Sequence, residues 1–258
     1  MREFTDVEII KGNPGGPLGR AISDNELFVA QANGGELVTV HNVQNGEQIL
    51  STKVSAWASC VAFSPDSKLL VTGSGNFQIH KNPGMLIVRD IESGKVLLEE
   101  RQPLDVWWLA FSPDGRMLAA AMGLCSDSGQ DTGCIRIWNT SNWETVFDLR
   151  GHNGCVWSVT FNSSGTRLAT AGGQQYKSKS LTRQKPRGDL KVWDTVTGLE
   201  LLTISYPNEP VYGVAFSPDG SQLATAGGDG SVRIWNGTPL AEMPTYEPLP
   251  EEESVTEK

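Results

Sequence analysis

Histidine is scarce in this sequence, and so is positive charge. The 3 histidines among 258 residues (His41, His80 and His152) lie too far apart in the chain to make a metal set. The 21 lysines and arginines stand against 30 acids, a net charge of −9. That balance argues against general binding to nucleic acid or to an anionic membrane, both of which reward a basic surface. No apolar run approaches the ~20 residues a membrane helix needs. The first ten residues carry Glu3, Asp6 and Glu8 and no apolar core, so they do not read as a signal peptide. The 4 cysteines (Cys60, Cys125, Cys134, Cys155) follow no zinc-site spacing. They are expected to be reduced, mostly buried thiols of a cytoplasmic protein, with Cys125 and Cys134 flanking one loop as the pair oxidation would join. No nucleophile–base pair, phosphate loop or acidic dyad stands out, so no catalytic residue, metal or cofactor is expected. Asp127 and Asp131 lack the closing Glu and the ligand count of a calcium loop.

What is plentiful is punctuation: 28 glycines and 14 prolines imply many tight turns between short strands. One phrase recurs. Val61-Ala62-Phe63-Ser64-Pro65-Asp66 returns as Leu109 to Gly115, as Val159 to Gly165 and as Val214 to Gly220. Each is an alternating apolar strand running into a turn, where Pro fixes φ and Gly supplies φ > 0. A second strand follows each turn, and a third ends at Arg89-Asp90, Trp138-Asn139, Trp193-Asp194 or Trp235-Asn236. The first three of these continue through a further turn into a fourth strand. The phenylalanines Phe63, Phe111, Phe161 and Phe216 are spaced 48, 50 and 55 apart. Four strands at that period are the pattern of propeller blades, with the Phe and Trp positions in the core.

Those residues resemble the WD-repeat family over nearly the whole chain. Trp193-Asp194 is a full Trp-Asp pair, Trp138-Asn139 and Trp235-Asn236 are near matches, and Gly151-His152 matches the family's other dipeptide. The family's hydrogen-bonded tetrad of His, Asp, Ser or Thr, and Trp is matched in part. Trp235, Thr225 and Asp229 fit the last unit, where Pro207 stands in the His place, and His152, Thr170 and Trp193 fit the one before, with Asp189 a candidate fourth member. No unit is clearly complete. A weaker unit precedes these, with His41-Asn42 in place of Trp-Asp, and Asp6 to Asn13 aligns with a fourth strand. The resemblance implies an all-β propeller of four-stranded antiparallel blades over residues 1–240, five blades, with the N-terminal strand closing the last. A small closed ring and the trailing part of a larger propeller both fit that count. Trp235 to Leu240 is similar to the closing strand of bacterial WD-repeat proteins. Residues 241–258, rich in Glu and Pro, read as an acidic disordered tail.

Two features suit binding. The interval from the second to the third strand is 12 positions in the last unit (Leu223 to Trp235), but 19, 20 and 25 in the three before it. Equivalent loops of a propeller emerge on one face, so these insertions predict one loop-rich ridge, unless they are neutral drift at a tolerant site. The longest carries Lys177, Lys179, Arg183, Lys185 and Arg187 and no acid, leaving 16 cations against 30 acids elsewhere. Such a cluster predicts an anionic target, a solvated loop being the alternative. The second feature is aromatic: Trp107, Trp157 and Tyr212 each follow the first apolar residue of a first strand. In the family that position faces the channel mouth, so the three suit an Arg, Lys or aromatic anchor of a partner, or else plug a narrow channel. Ser59 holds the place in the second unit. The expected function is a scaffold for a protein or peptide partner, with no membrane and no specific nucleic acid. The alternative is a propeller hydrolase or lyase working at the channel mouth.

Overall fold

The computed structural model describes residues 19–32, 35–54, 57–75, 84–124, 132–174 and 187–237. They form five antiparallel sheets and no helix. The first sheet is β1 (Arg20–Ile22), β2 (Phe28–Ala32), β3 (Leu37–Asn42) and β4 (Gln48–Lys53). The second is β5 (Trp57–Phe63), β6 (Leu69–Gly75), β7 (Gly84–Asp90) and β8 (Val96–Gln102). The third is β9 (Asp105–Phe111), β10 (Met117–Leu124), β11 (Thr132–Asn139) and β12 (Thr145–Leu149). The fourth is β13 (Cys155–Phe161), β14 (Arg167–Gly173), β15 (Gly188–Asp194) and β16 (Glu200–Tyr206), and the fifth holds β17 (Val211–Phe216), β18 (Gln222–Gly227) and β19 (Val232–Asn236). Every sheet is a meander, each strand pairing with the next in sequence.

The turns show why the chain folds this way. In the repeated phrase the Ser hydroxyl donates to the Asp carboxylate two residues on, as in Ser112 to Asp114 (2.6 Å) and Ser217 to Asp219 (2.5 Å). Gly115, Gly165 and Gly220 then take φ near +70°. Ser67 and Glu26 adopt the same left-handed conformation in the first two sheets. In the first, Ser23 bonds Asn25 at 2.7 Å, so Ser-Asp-Asn-Glu is a worn copy of Ser-Pro-Asp-Gly.

Strand alternation gives each sheet two unlike faces. One carries small and branched residues (Ala119, Ala121, Ile135 and Ile137 in the third sheet) and the other carries Phe, Leu and Trp (Phe161, Leu168 and Trp193 in the fourth). These two faces meet in one buried cluster. The same pairing of faces joins the other neighbouring sheets. Inner strands pack in the order β1, β5, β9, β13, β17, and among the described residues no comparable packing joins β17 back to β1. The expected closing strand, Asp6 to Asn13, lies outside the described residues. Its test is deletion of Met1 to Ile10, which should leave the β19 edge unpaired and cause aggregation or a marked fall in melting temperature. A truncated protein that stays monomeric and melts unchanged would remove the closed ring.

Two expectations are corrected. The fourth sheet does complete its tetrad. His152 Nδ1 contacts Asp189 Oδ1, His152 Nε2 lies 2.7 Å from Thr170 Oγ1, and Trp193 Nε1–H donates to that same oxygen at 2.8 Å. In the last sheet the His role passes to Tyr206, whose hydroxyl lies 2.8 Å from Thr225 Oγ1, which Trp235 Nε1–H also bonds at 3.0 Å. Pro207 does hold the aligned position, but the longer Tyr206 reaches the threonine from one residue earlier. Asp229 turns instead to Arg233, 2.8 Å away.

The cysteines follow the expectation of buried, reduced thiols at two positions and depart from it at a third. Cys134 is free and buried, so it is not paired with Cys125. Cys60 is likewise free, and burial pushes its thiol up to about 12. Cys155 is disulfide-bonded rather than reduced, with its partner outside the described residues.

Candidate functional site

The aromatic positions are β-bulges. Ala121 pairs with Trp108 and Met122 with Val106, so the ladder register skips Trp107, the extra residue of the bulge. Trp157 and Tyr212 are skipped in the same way in β13 and β17, and Ser59 in β5. A bulged residue is turned out of the regular alternation, which is how three large rings leave the core and meet one another. Their centroids lie 5.2 Å apart for Trp107 and Trp157 and 5.6 Å apart for Trp157 and Tyr212, tilted and edge-on. That spacing is the favoured one for aromatic pairs. Trp107 and Trp157 are half-buried and Tyr212 is 41% exposed, so the row is partly open to solvent. Partial burial pushes the Tyr212 phenol up, keeping it neutral at ordinary pH.

Each tryptophan is fixed at its tip. Trp107 Nε1–H donates to the Gly123 carbonyl at 3.0 Å, and Trp157 Nε1–H to that of Gly173 at 3.2 Å. Those glycines stand at or next to the ends of β10 and β14, where the inserted loops leave the sheet. The Gln174 amide bonds the Arg187 carbonyl at 2.9 Å, closing the base of the longest insertion beside Trp157. The loop stems and the two tryptophans therefore share one end of the molecule. Of the five cations assigned to that loop, Arg187 is placed and exposed at the stem. Lys177, Lys179, Arg183 and Lys185 lie outside the described residues.

Beyond Tyr212 the row opens into a cleft of about 570 Å³ lined by Pro207, Glu209, Pro210, Asp229 and Arg233. Glu209 accepts from the Asp229 amide at 3.0 Å and pairs with Arg233 at 2.9 Å. This acidic edge was not singled out from the sequence. Neither was Trp108, which is 49% exposed and lines a second cleft of about 600 Å³ with Arg20, Ile22 and Phe111. Simple alternation turns Trp108 away from Trp107, and the bulge is not visible in sequence. Among the described residues no group of three or more His, Cys, Asp or Glu could hold a metal ion, and no helix is long and apolar enough to cross a membrane.

The family model for "WD domain, G-beta repeat" matches residues 46–80, 96–139, 143–177 and 199–236. The chain belongs to the WD-repeat family. Among curated relatives of this WD-repeat protein, the serine-threonine kinase receptor-associated protein of Homo sapiens is 34% identical over 102 residues, 40% of this chain and 25% of that one. Subunit I of eukaryotic translation initiation factor 3 from Scheffersomyces stipitis is 37% identical over 87 residues, 34% of this chain and 21% of that one. Protein tipD of Dictyostelium discoideum is 31% identical over 86 residues, 33% and 12% of the two chains. The chain thus spans a quarter or less of the length of these relatives. Among solved structures, hydrazine synthase of Kuenenia stuttgartiensis superposes with a TM-score of 0.67 at 18% identity, covering 84% of this chain and 64% of that one. That likeness concerns the fold alone.

Proposed function

We propose that this WD-repeat chain is a scaffold that binds a protein or peptide partner on the face carrying the inserted loops, with Trp107, Trp157 and Tyr212 as the anchor site. The observation that carries the reading is the partly exposed row of three bulged aromatics in mutual contact. Rigid rings fixed at their tips offer large contact area at little entropic cost, and clustered Trp and Tyr dominate binding energy at protein interfaces. The Glu209 and Asp229 carboxylates beyond Tyr212 suit an Arg or Lys anchor lying over the rings. Arg187, with Lys177, Lys179, Arg183 and Lys185 on the same insertion, suits acidic residues flanking that anchor. The rings contact one another directly, which supports a binding surface over the hydrolase or lyase alternative. Serine-threonine kinase receptor-associated protein and the initiation-factor subunit are named for association with other proteins, which fits a scaffold. A cytoplasmic setting belongs to the same proposal; the free thiols of Cys60 and Cys134 support it and the Cys155 disulfide works against it.

The test is a displayed peptide library selected on the whole protein. Selected peptides should carry an Arg, Lys or aromatic anchor. Trp157→Ala should weaken them by about 2 kcal/mol or more, roughly thirtyfold in Kd. Arg187→Glu should weaken those with acidic flanks. Binders indifferent to both Trp157→Ala and Tyr212→Ala would place recognition elsewhere.

A further inference from the structure

One disulfide sits at the junction where the two tryptophans meet. Trp107 belongs to the third sheet and Trp157 to the fourth, and their ring centroids lie 5.2 Å apart. Cys155, the first residue of β13, lies between the two carbonyls that fix them. Across its own ladder it pairs with Gly173, which holds the Trp157 indole. From the neighbouring sheet Gly123, which holds the Trp107 indole, packs directly on it. A β-carbon on Gly123 would stand 2.6 Å from that of Cys155 and 2.9 Å from its Sγ, so only glycine fits there. Cys155 is fully buried and disulfide-bonded. Cys60 and Cys134 are free, so of the 4 cysteines Cys125 is the one left to be its partner. Cys125 lies outside the described residues, two positions after Gly123 in the chain.

We propose that this disulfide is a redox switch on the aromatic row. Oxidised, it pins Trp107 against Trp157; reduced, it lets the two sheets part at this end and weakens the partner's hold. The regulatory consequence rests on reading the row as the anchor site. The first support is placement. The bond closes a short path, from Gly123 to Cys125, between one tryptophan's tether and the start of the strand that carries the other. The second is what else holds the junction. Deeper in, Ala121, Ile135 and Val156 join the buried cluster that packs the third sheet on the fourth. At the row itself the strands meet through glycines: a β-carbon on Gly133 would stand 2.7 Å from the Val156 amide nitrogen. Backbone against backbone offers no interlocking side chains, so a covalent link there changes the approach while the cluster keeps the fold. The third is selectivity. Burial pushes the Cys60 thiol up to about 12 and raises that of Cys134, so neither supplies a thiolate near neutral pH to exchange with the pair. The step balances with a dithiol reductant. Its thiolate attacks the Cys125 sulfur, because Cys155 is buried, and Cys155 leaves as a thiolate that takes a proton. The second thiol of the reductant then resolves the mixed disulfide, freeing Cys125 and closing the reductant's own disulfide.

The test uses the full chain before and after dithiothreitol, with alkylation and mass spectrometry of the digest reporting the bond. Two tryptophans in tilted contact give an exciton couplet in far-ultraviolet circular dichroism, which Trp107→Phe identifies by removing it. Reduction should tag Cys125 and Cys155 together, remove most of the couplet and leave cooperative melting in place. Cys125→Ser should give the reduced protein's spectrum with no reductant. A peptide chosen from the library by its loss of binding to Trp157→Ala should bind the reduced protein about tenfold more weakly. An undiminished couplet with both cysteines tagged would overturn the switch. So would a bond that yields only when the chain melts, reduction that unfolds every sheet, or a digest linking Cys155 to another cysteine. A library that yields no such peptide sinks the anchor-site reading alone, since the couplet is read without any ligand.

Discussion

Replacing Trp193 with alanine should lower the unfolding free energy by about 3–5 kcal/mol, as expected where a large ring is removed from a packed interior. Trp193 is 4% exposed and sits at the junction of the third and fourth sheets, in one cluster with Ala119, Ile137 and Phe161. Both flanking sheets are tied into the arc by other contacts, which limits collapse into the cavity. Its indole N–H also bonds Thr170, and the Lys191 ammonium lies 5.9 Å from the ring centroid. Trp193→Phe keeps most of the volume but loses the hydrogen bond, so it should cost about 1–2 kcal/mol. Denaturant unfolding followed by circular dichroism measures both. A loss below about 1 kcal/mol for Trp193→Ala would mean that the ring does not fill the junction.

The repeat was legible because its signals are local and periodic. The Phe position, the Ser-Pro-Asp-Gly turn and the terminal Trp recur in the same order, and each is dictated by a short-range need: a core face, a left-handed turn, a large ring between sheets. Even the worn first unit obeys, with Glu26 in the turn and His41 opposite Val29, as Trp193 is opposite Leu168. The contacts that depend on reach across space were not legible. Tyr206 replaces a histidine because its hydroxyl arrives at Thr225 from a different residue, and alignment records positions, not lengths. In the third sheet Trp138 Nε1–H bonds Glu100 at 3.1 Å, and Arg136 gathers Gln102 and Asp148 around it, a second solution with no motif at all. The aromatic row was readable as three residues in one repeat position, but their mutual contact follows from bulges that strand alternation does not foresee. Trp108 was missed for that reason, and the Glu209–Arg233 edge because it joins residues distant in the chain that no motif links.

Asp189→Ala should be nearly as damaging as loss of the tryptophan, and its cost should depend on pH. Both side chains of the His152–Asp189 pair are fully buried. Breaking a buried pair by removing one partner typically costs about 3–5 kcal/mol, because the remaining polar group keeps its desolvation penalty. Asp189 also accepts from the Asn153 amide at 3.2 Å and side chain at 3.1 Å, so its removal frees the loop that presents His152. Burial pushes the Asp189 carboxyl up. The His152 hydrogen bond and charge, the Asn153 amide and Lys191 together outweigh that and hold it below its ordinary 3.8. A carboxyl depressed in the folded state contributes stability that is fully present above its unfolded value. That contribution is lost as pH falls below about 3.8 and through the lower folded value. The gap in unfolding free energy between the wild type and Asp189→Asn should therefore be widest near neutral pH and narrow on acidification. The comparison isolates this group, because Asp66, Asp114 and the other depressed carboxylates titrate in both proteins. Urea melts at pH 7 and pH 3 measure the gap. A gap that stays constant, or widens in acid, would mean that Asp189 is not ionised against His152 in the folded protein and that shape alone holds the tetrad.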